Sequence, residues 1–395
     1  MKKFLTLFLL LLLSLVLAFT SCDSPSDDEK KPSEGLEYAL SQNESYYMVK
    51  GIGTCTDTDV VIPSTYNGLP VAEIDAWAFF DCTNLTSITL PNSITSIGYS
   101  AFSGCTALTS ISLSDNIASI GKLAFTVCSS LKYNEYDNAY YLGNDSNPYL
   151  VLIKAKDTDI TSCQVNQGTK IINNFAFQDC KDLTSISIEN GLTAIGASAF
   201  QYCSSLTNIT IPNSVTSIEH LAFSGCTALT SINIPNGITR IEEQAFYGCE
   251  SLTNIDIPSS VTSIGGSAFK WCKGLTNITI PNSVTSIEYS AFDCCISLTS
   301  VAMPNSITTL GDSAFNYCPL LTSIVIPNSI SSIGRYAFMT CDLLTIYCEA
   351  ESQPSGWNSD WNYSACPVYW YSESEPSTDG SYWHYGENGE ILIWE

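Results

Sequence analysis

The sequence predicts an α/β-class solenoid, a stack of similar coils that is mostly β-structure, with a parallel sheet and short helical or 3₁₀ turns. Three observations support this prediction. An Ala-Phe pair recurs eleven times, in most cases 23 residues after the previous pair; an alternating apolar segment typical of a β-strand accompanies the pairs; and a cysteine follows each phenylalanine by three residues. A fixed period in the twenties is typical of units that bury their apolar faces only against neighbouring units.

A single coil shows how the repeat forms these elements. Ile209 and Ile211 alternate with polar residues, so they are expected on the buried side of a strand. The Pro-Asn-Ser sequence that follows favours a turn, because proline restricts φ and asparagine tolerates a tight conformation. Phe223 and Cys226 have the spacing of a helical or 3₁₀ turn. We therefore predict eleven coils of 23 residues.

Stacking places the equivalent residues of successive coils on top of each other. The eleven phenylalanines, from Phe79 to Phe338, are therefore expected to form a stacked aromatic row in the core. The cysteines at the repeat position are expected to form a buried row of reduced thiols, because parallel side chains do not offer disulfide geometry and have no partners for a metal site. They are Cys82, Cys105, Cys128, Cys180, Cys203, Cys226, Cys249, Cys272, Cys295, Cys318 and Cys341.

The composition excludes several classes of function. The 395 residues include 15 Lys and Arg against 39 Asp and Glu, so the acidic surface is expected to repel nucleic acids and anionic lipid head groups. The two histidines, His220 and His384, have no nucleophile motif beside them. The adjacent acids Glu242 and Glu243 are expected to be exposed rather than catalytic. We therefore predict that the protein is not an enzyme and uses no cofactor or metal.

The N-terminus predicts an exported protein. Lys2 and Lys3 precede an apolar run that is too short to span a membrane, so residues 1–21 are expected to be a signal peptide. Small residues directly before Cys22 resemble the bacterial lipoprotein signal, which implies lipidation of Cys22; ordinary signal cleavage is the alternative. Residues 22–35 are too polar to bury a core and are expected to form a disordered tether.

The segments around the repeats are expected to cap or interrupt the solenoid. Residues 36–69 predict an N-terminal β-hairpin cap, since the edge of the first coil must be covered. The solenoid covers residues 70–347, with an insertion at 132–168 that is expected to add a pair of strands within one oversized unit, as a structural seam or, alternatively, as a binding loop.

The C-terminal segment, residues 348–395, holds five of the seven tryptophans. We expect it to form a cap over the last coil, and a sugar- or peptide-binding surface is the alternative. In an exported protein Cys348 and Cys366 are a candidate disulfide.

The coil pattern of apolar strand, Pro-Asn-Ser turn, Ala-Phe pair and cysteine resembles the BspA-type leucine-rich repeats of bacterial surface proteins. The resemblance extends roughly from Gly51 to Tyr347, and the Ala-Phe, cysteine and leucine positions recur in all eleven units. It implies a leucine-rich-repeat solenoid and a surface-exposed protein that is often adhesive.

We therefore expect a monomeric adhesin, lipid-anchored at the outer membrane or cell surface, that binds an extracellular protein or another cell-surface ligand. An accessory protein that captures glycans or peptides for uptake is the alternative. The outward-facing strand positions are short and polar, so they are expected to form the binding sheet. They are Ser110, Ser112, Ser185, Ser187, Asn208, Thr210, Ser231, Asn233, Asn254, Asp256, Asn277 and Thr279. That these side chains only keep the sheet soluble is the alternative interpretation.

Overall fold

The computed structural model of the chain describes residues 31–376 and 381–394. The predicted signal peptide (1–21), Cys22 and residues up to 30 of the predicted tether lie outside the described residues. Each regular coil has three sides. The first strand ladder is the row of stacked strands that includes Ser87–Thr89, the second strand ladder is the row that includes Ser96–Ile97, and the turn side carries the Ala-Phe pairs.

The first stack of coils starts from the predicted hairpin cap. Strands β1 and β2 pair in antiparallel fashion, and β2 then pairs in parallel with β5. Strand β3 begins the first strand ladder beside β6. The strands of this stack are β1 (Glu37–Leu40), β2 (Tyr47–Gly51), β3 (Asp59–Val61), β4 (Thr65–Tyr66), β5 (Leu69–Ile74), β6 (Ser87–Thr89), β7 (Ser96–Ile97), β8 (Ser110–Ser112) and β9 (Ser119–Ile120).

The insertion has the same arrangement as the N-terminal cap and begins a second stack. Its strands are β10 (Asn134–Tyr136), β11 (Ala139–Leu142), β12 (Val151–Ala155) and β13 (Ser162–Gln164). Strands β11 and β12 are antiparallel, β12 pairs in parallel with Ile171–Ile172, and β13 pairs in parallel with Ser185–Ser187. The insertion therefore adds a coil without an Ala-Phe pair, rather than two strands within one oversized unit.

The second stack continues both ladders, but residues 252–258 form no strand, so the first strand ladder is interrupted there and the predicted strand positions Asn254 and Asp256 lie outside any strand. In the first strand ladder Asn208 pairs with Ser231, and in the second Ser263 pairs with Ser286. The strands are β14 (Ile171–Ile172), β15 (Ser185–Ser187), β16 (Ala194–Ile195), β17 (Asn208–Ile209), β18 (Ser217–Ile218), β19 (Ser231–Ile232), β20 (Arg240–Ile241), β21 (Ser263–Ile264), β22 (Asn277–Thr279), β23 (Ser286–Ile287), β24 (Ser300–Ala302), β25 (Thr309–Leu310), β26 (Ser323–Ile326) and β27 (Ser332–Ile333).

The C-terminal segment closes the second stack, as the cap interpretation predicted. Its strands are β28 (Thr345–Cys348), β29 (Val368–Tyr371), β30 (Tyr382–Tyr385) and β31 (Ile391–Ile393). Trp357 and Trp361 are buried, and the indole N–H of Trp357 donates to the carbonyl of Ile330 at 3.1 Å. Trp361 meets the ring of Phe338 edge-on. With the cap coils and the insertion coil included, the solenoid has about 14 turns rather than eleven.

The turn side forms no helix within residues 31–376 and 381–394, so the expected helical or 3₁₀ turns are absent there. Two residues per coil adopt the left-handed conformation, such as Leu221 (φ 59°) and Gly225 (φ 74°), and this conformation ends a right-handed helix. The N–H of Phe223 donates to Ala245 in the next coil at 2.9 Å, whereas the N–H of Cys226 donates back to Phe223 at 3.2 Å. The turn side is therefore a third row of hydrogen bonds between coils.

The phenylalanines form the predicted aromatic row in two runs. Phe79, Phe102 and Phe125 stack in the first run, and the second continues from Phe177 to Phe338. Neighbouring ring centroids are 5.1–5.9 Å apart and the planes differ by only 3–7°. The insertion separates the two runs, because its coil has no phenylalanine at this position.

The cysteines form the predicted buried row, with Cys82 half-buried and the other ten repeat-position cysteines buried. Nine of their S–H groups donate to the phenylalanine carbonyl of the preceding coil at 3.0–3.3 Å, as Cys226 does to Phe200. A thiol is a weak donor of this kind that still fits an apolar core. Burial raises the pKa of Cys105 to about 12 and that of Cys128 to about 11.

The expected disulfide between Cys348 and Cys366 is wrong, because both residues are free thiols. Cys348 ends β28 and lies in register with Trp370, so Cys366 belongs to a different position in the next coil. The Sγ of Cys366 lies instead 3.6 Å from the carbonyl oxygen of Cys341, the last repeat-position cysteine. Cys366 therefore extends the row of buried thiols.

Candidate binding surfaces

The predicted binding residues lie along the first strand ladder, but the structure divides them. Ser110 and Ser112 belong to β8, which pairs with β6 and ends the first stack. The other ten residues lie on five consecutive coils of the second stack, from Ser185 to Thr279. All ten are exposed, as is Ser110, whereas Ser112 is half-buried. The insertion thus separates one predicted surface into two.

Hydrogen bonding shows which of these side chains are already used within the fold. Asn233 accepts from the N–H of Ile211 at 2.9 Å and donates to its carbonyl at 2.7 Å, so its amide replaces a backbone pairing between coils. Asn277 donates only a long bond, 3.3 Å, to the hydroxyl of Thr276. The threonines beside these positions donate to the preceding coil, as Thr230 does to Thr207 at 3.1 Å. Asn233 is therefore a structural residue, while Asn277 keeps most of its capacity for a partner.

Hydrogen bonds from the insertion and from the coil after it tie the two stacks together. The amide of Asn174 donates to the carbonyl of Ile120 at 2.8 Å, and that of Asn144 donates to Leu113 at 2.9 Å. A cavity of about 520 Å³ remains at this seam, on the second strand ladder, and His220 lies in its wall. These contacts support the interpretation of the insertion as a structural seam.

The adjacent acids Glu242 and Glu243 belong to a surface network on the second strand ladder. Glu242 pairs with Arg240 at 3.2 Å, and Arg240 also pairs with Glu288 at 2.8 Å. Glu243 accepts from the hydroxyl of Tyr289, and this hydrogen bond raises the pKa of Tyr289 to about 12. Glu242 is therefore held by Arg240 of its own coil and Glu243 by Tyr289 two coils further along, which is a structural use of the pair.

The described residues offer no cluster of three or more His, Cys, Asp or Glu side chains that could hold a metal ion. A helix with the length and apolar character needed to cross a membrane is likewise absent from the part of the chain that the structure describes.

Sequence reasoning missed one candidate site, which we call the turn-side trough. It is an open cavity of about 500 Å³ lined by Tyr202, Gly225, Tyr247, Gly248 and Trp271, with the carboxylate of Glu250 at its side. Tyr202, Gly225, Gly248 and Trp271 occupy the same position in four successive coils. The sequence signal that could have revealed the trough is the pair of glycines in adjacent copies, flanked by Tyr202 and Trp271, at a repeat position that is otherwise variable.

Comparison with known proteins agrees with the repeat structure. The sequence model described as the BspA type leucine-rich repeat region matches residues 54–146, 155–253 and 239–354, in six copies. No curated protein matches the chain.

Several solved structures are similar over most of their length. A leucine-rich cell surface protein from Faecalibacterium prausnitzii is 28% identical, covers 87% of this chain and 98% of its own, and has a TM-score of 0.39. A leucine-rich repeat protein from Bacteroides ovatus is 23% identical, with 88% and 96% covered and a TM-score of 0.46. The pneumococcal vaccine antigen PcpA is 18% identical, with 87% and 93% covered and a TM-score of 0.41.

Proposed function

The chain belongs to the BspA-type leucine-rich repeat family, and we propose on this basis that it is a cell-surface binding protein, an adhesin rather than an enzyme. Its partner is a protein on a host or on another microbe. The observation that carries this proposal is the exposed polar face of the first strand ladder in the second stack, from β15 to β26.

This face is long and regular. Outward side chains lie in register on both sides of the coil of Asn254, which forms no strand: Asn208 pairs with Ser231, and Asn277 pairs with Ser300, which in turn pairs with Ser323. At a strand spacing of about 4.8 Å, the seven coils from Ser185 to Ser323 give a row about 29 Å long. A row of this length spans a protein-sized contact.

The chemistry of the face suits a protein partner better than a small molecule. Serine, threonine and asparagine side chains are short, so the surface has low relief and offers hydrogen bonds at little cost in side-chain entropy. Small ligands need a concave and largely apolar site. The isoleucines that alternate with the polar residues, such as Ile209 and Ile278, are buried and leave only the polar side for contact.

Attachment to the cell surface completes the proposal. Lipidation of Cys22 would place several acyl chains at the start of the tether, and more than one chain is needed for firm anchoring. An anchor at this position would keep the protein at the cell surface, where a partner can reach it.

The binding proposal is tested with bulky substitutions on the face. Asn254→Tyr and Asn277→Tyr add a large side chain at two exposed positions without changing the buried isoleucines. Surface plasmon resonance against purified extracellular-matrix proteins should show binding by the mature chain and a loss of about tenfold or more in affinity for both variants.

The matched control is Thr309→Tyr, which makes a similar change at an exposed strand position of the second strand ladder. Its affinity should equal that of the unmodified protein. Full binding by both asparagine variants, with circular dichroism unchanged, would show that the partner does not use this face.

A further inference from the structure

We propose that the turn-side trough is a binding site for a neutral oligosaccharide. The trough lies on the turn side, away from the first strand ladder, so this site is independent of the proposed protein-binding face.

Two exposed aromatic side chains form the ends of the trough. Tyr202 and Trp271 retain 47% and 39% of their surface exposed, although large aromatic side chains are normally buried. They lie three coils apart, which corresponds to about 14 Å. Tyr247 lies between them on the neighbouring repeat position and adds a third ring to the wall.

Two glycines form the floor between these rings. A Cβ atom added to Gly225 would lie 2.4 Å from the Cδ1 atom of Tyr202, so the tyrosine ring lies directly against this glycine. A Cβ atom added to Gly248 would meet only backbone of Gly225, at 3.9 Å, so a side chain there would extend into open space. The ring of Tyr202 therefore covers Gly225, and the open floor of the trough is the space left by Gly248 between that ring and Trp271.

The backbone does not require glycine at these positions. Gly225 and Gly248 have φ values of 74° and 69°, and Tyr202 (φ 61°), Trp271 (φ 65°) and Tyr317 (φ 55°) adopt nearly the same conformation at the equivalent position. The stacked coils therefore hold non-glycine residues in the left-handed region here. The main structural consequence of Gly225 is the room that it gives to the ring of Tyr202, and that of Gly248 is open space.

The ring of Trp271 is held in place by charged neighbours. The Nζ of Lys273 lies over this ring, 5.1 Å from its centroid, and also pairs with Glu250 at 2.7 Å. A cation over an indole ring is an attractive contact, and the carboxylate fixes the position of the lysine. Trp271 is therefore oriented before a ligand arrives, which lowers the entropy that binding must overcome.

This combination of groups favours a sugar. Aromatic faces provide apolar contact area for the C–H face of a pyranose ring, while carboxylates such as Glu250 and Asp179 accept hydrogen bonds from its hydroxyl groups. Asp179 and Glu250 line the trough with a single lining cation, Lys181, and the chain as a whole is acidic, so phosphorylated or acidic sugars are disfavoured. An elongated trough with rings at both ends fits a short neutral chain better than a single sugar.

The test uses three neutral trisaccharides, cellotriose, maltotriose and xylotriose, with the mature chain. Saturation-transfer NMR and titration calorimetry should detect binding of at least one of them. Trp271→Ala removes one wall of the trough. Gly248→Tyr fills the trough with a tyrosine, the residue that two other coils have at this repeat position (Tyr202 and Tyr317). Each variant should therefore weaken binding about tenfold or more.

Tyr317→Ala is the matched control, because Tyr317 is 48% exposed at the same repeat position but lies outside the trough. It should bind as the unmodified protein does. The proposal is overturned if none of the trisaccharides binds, if Gly248→Tyr binds normally while folded by circular dichroism, or if Tyr317→Ala is impaired as much as Trp271→Ala. These variants do not change the strand face. Sugar binding and matrix-protein binding are therefore measured independently of each other.

Discussion

Replacing Phe246 by alanine tests whether the aromatic row holds neighbouring coils together. Phe246 is 1% exposed, and its ring stacks on Phe223 and Phe269 with centroids 5.7 and 5.5 Å away. Truncation removes the ring's transfer free energy and leaves a cavity that the rigid coils cannot close. We expect a loss of about 3–5 kcal/mol in the free energy of unfolding.

The structure supplies a matched comparison within the same row. Phe125 ends the first run, stacks only on Phe102 and is 8% exposed. A stacked aromatic pair contributes roughly 0.5–1.5 kcal/mol beyond its buried area, so Phe125→Ala should cost less than Phe246→Ala by about that amount. Tyr317→Ala, an exposed aromatic on the turn side, should change stability by no more than about 0.5 kcal/mol.

The assay is urea denaturation followed by circular dichroism. In a one-dimensional array a weakened central coil separates the coils on either side, so Phe246→Ala should also broaden the transition or divide it into two. A destabilisation equal to that of Phe125→Ala, with a single sharp transition, would refute the idea that stacking along the row couples the coils.

The remaining predictions concern the cysteines. Thiol titration of the native protein should find few reactive groups and roughly thirteen more after denaturation, from the ten buried repeat-position cysteines together with Cys163, Cys348 and Cys366, whereas full reaction in the native state would contradict burial. The raised pKa values of Cys105 and Cys128 mean that their contribution to stability is complete below the unfolded pKa of about 8.5 and is lost as the pH rises towards 11–12. The melting temperature should therefore fall between pH 8.5 and 10.5, and Cys128→Ala should make that decline shallower; an identical decline would argue against this linkage. Finally, Cys22→Ala should move the protein from the membrane fraction to the periplasm or medium, and its retention in the membrane would exclude lipid anchoring.

The sequence alone determined the repeating parts of this fold. The spacing of 23 residues, the alternating isoleucines and the recurrent phenylalanines and cysteines predicted parallel strand ladders, an aromatic row and a buried thiol row, and all are present. These features are predictable because each coil meets only a copy of itself, so one local pattern specifies the same contact many times. The hairpin cap and the tryptophan-rich cap were predictable because an open coil edge must be covered.

Only the tertiary structure shows the features that depend on contacts between different coils. The left-handed residues of the turn side replace the expected helical turns because half of its N–H groups bond to the next coil, as Phe223 does to Ala245. Asn233 is used by Ile211 of the preceding coil, and Cys366 lies beside Cys341 rather than Cys348. Such pairings depend on which side chains meet across a coil boundary, and periodicity does not specify them.

The turn-side trough is the clearest example of a feature that periodicity does not specify. Gly225 and Gly248 look in the sequence like ordinary turn glycines, and Tyr202 and Trp271 look like variable surface residues. Only the stacking of four coils places the ring of Tyr202 on Gly225, leaves open space at Gly248 beside Trp271 and forms a cavity of about 500 Å³. The sequence determines each coil, but the shape of the surface arises from differences between successive coils, which become neighbours only when the chain is folded.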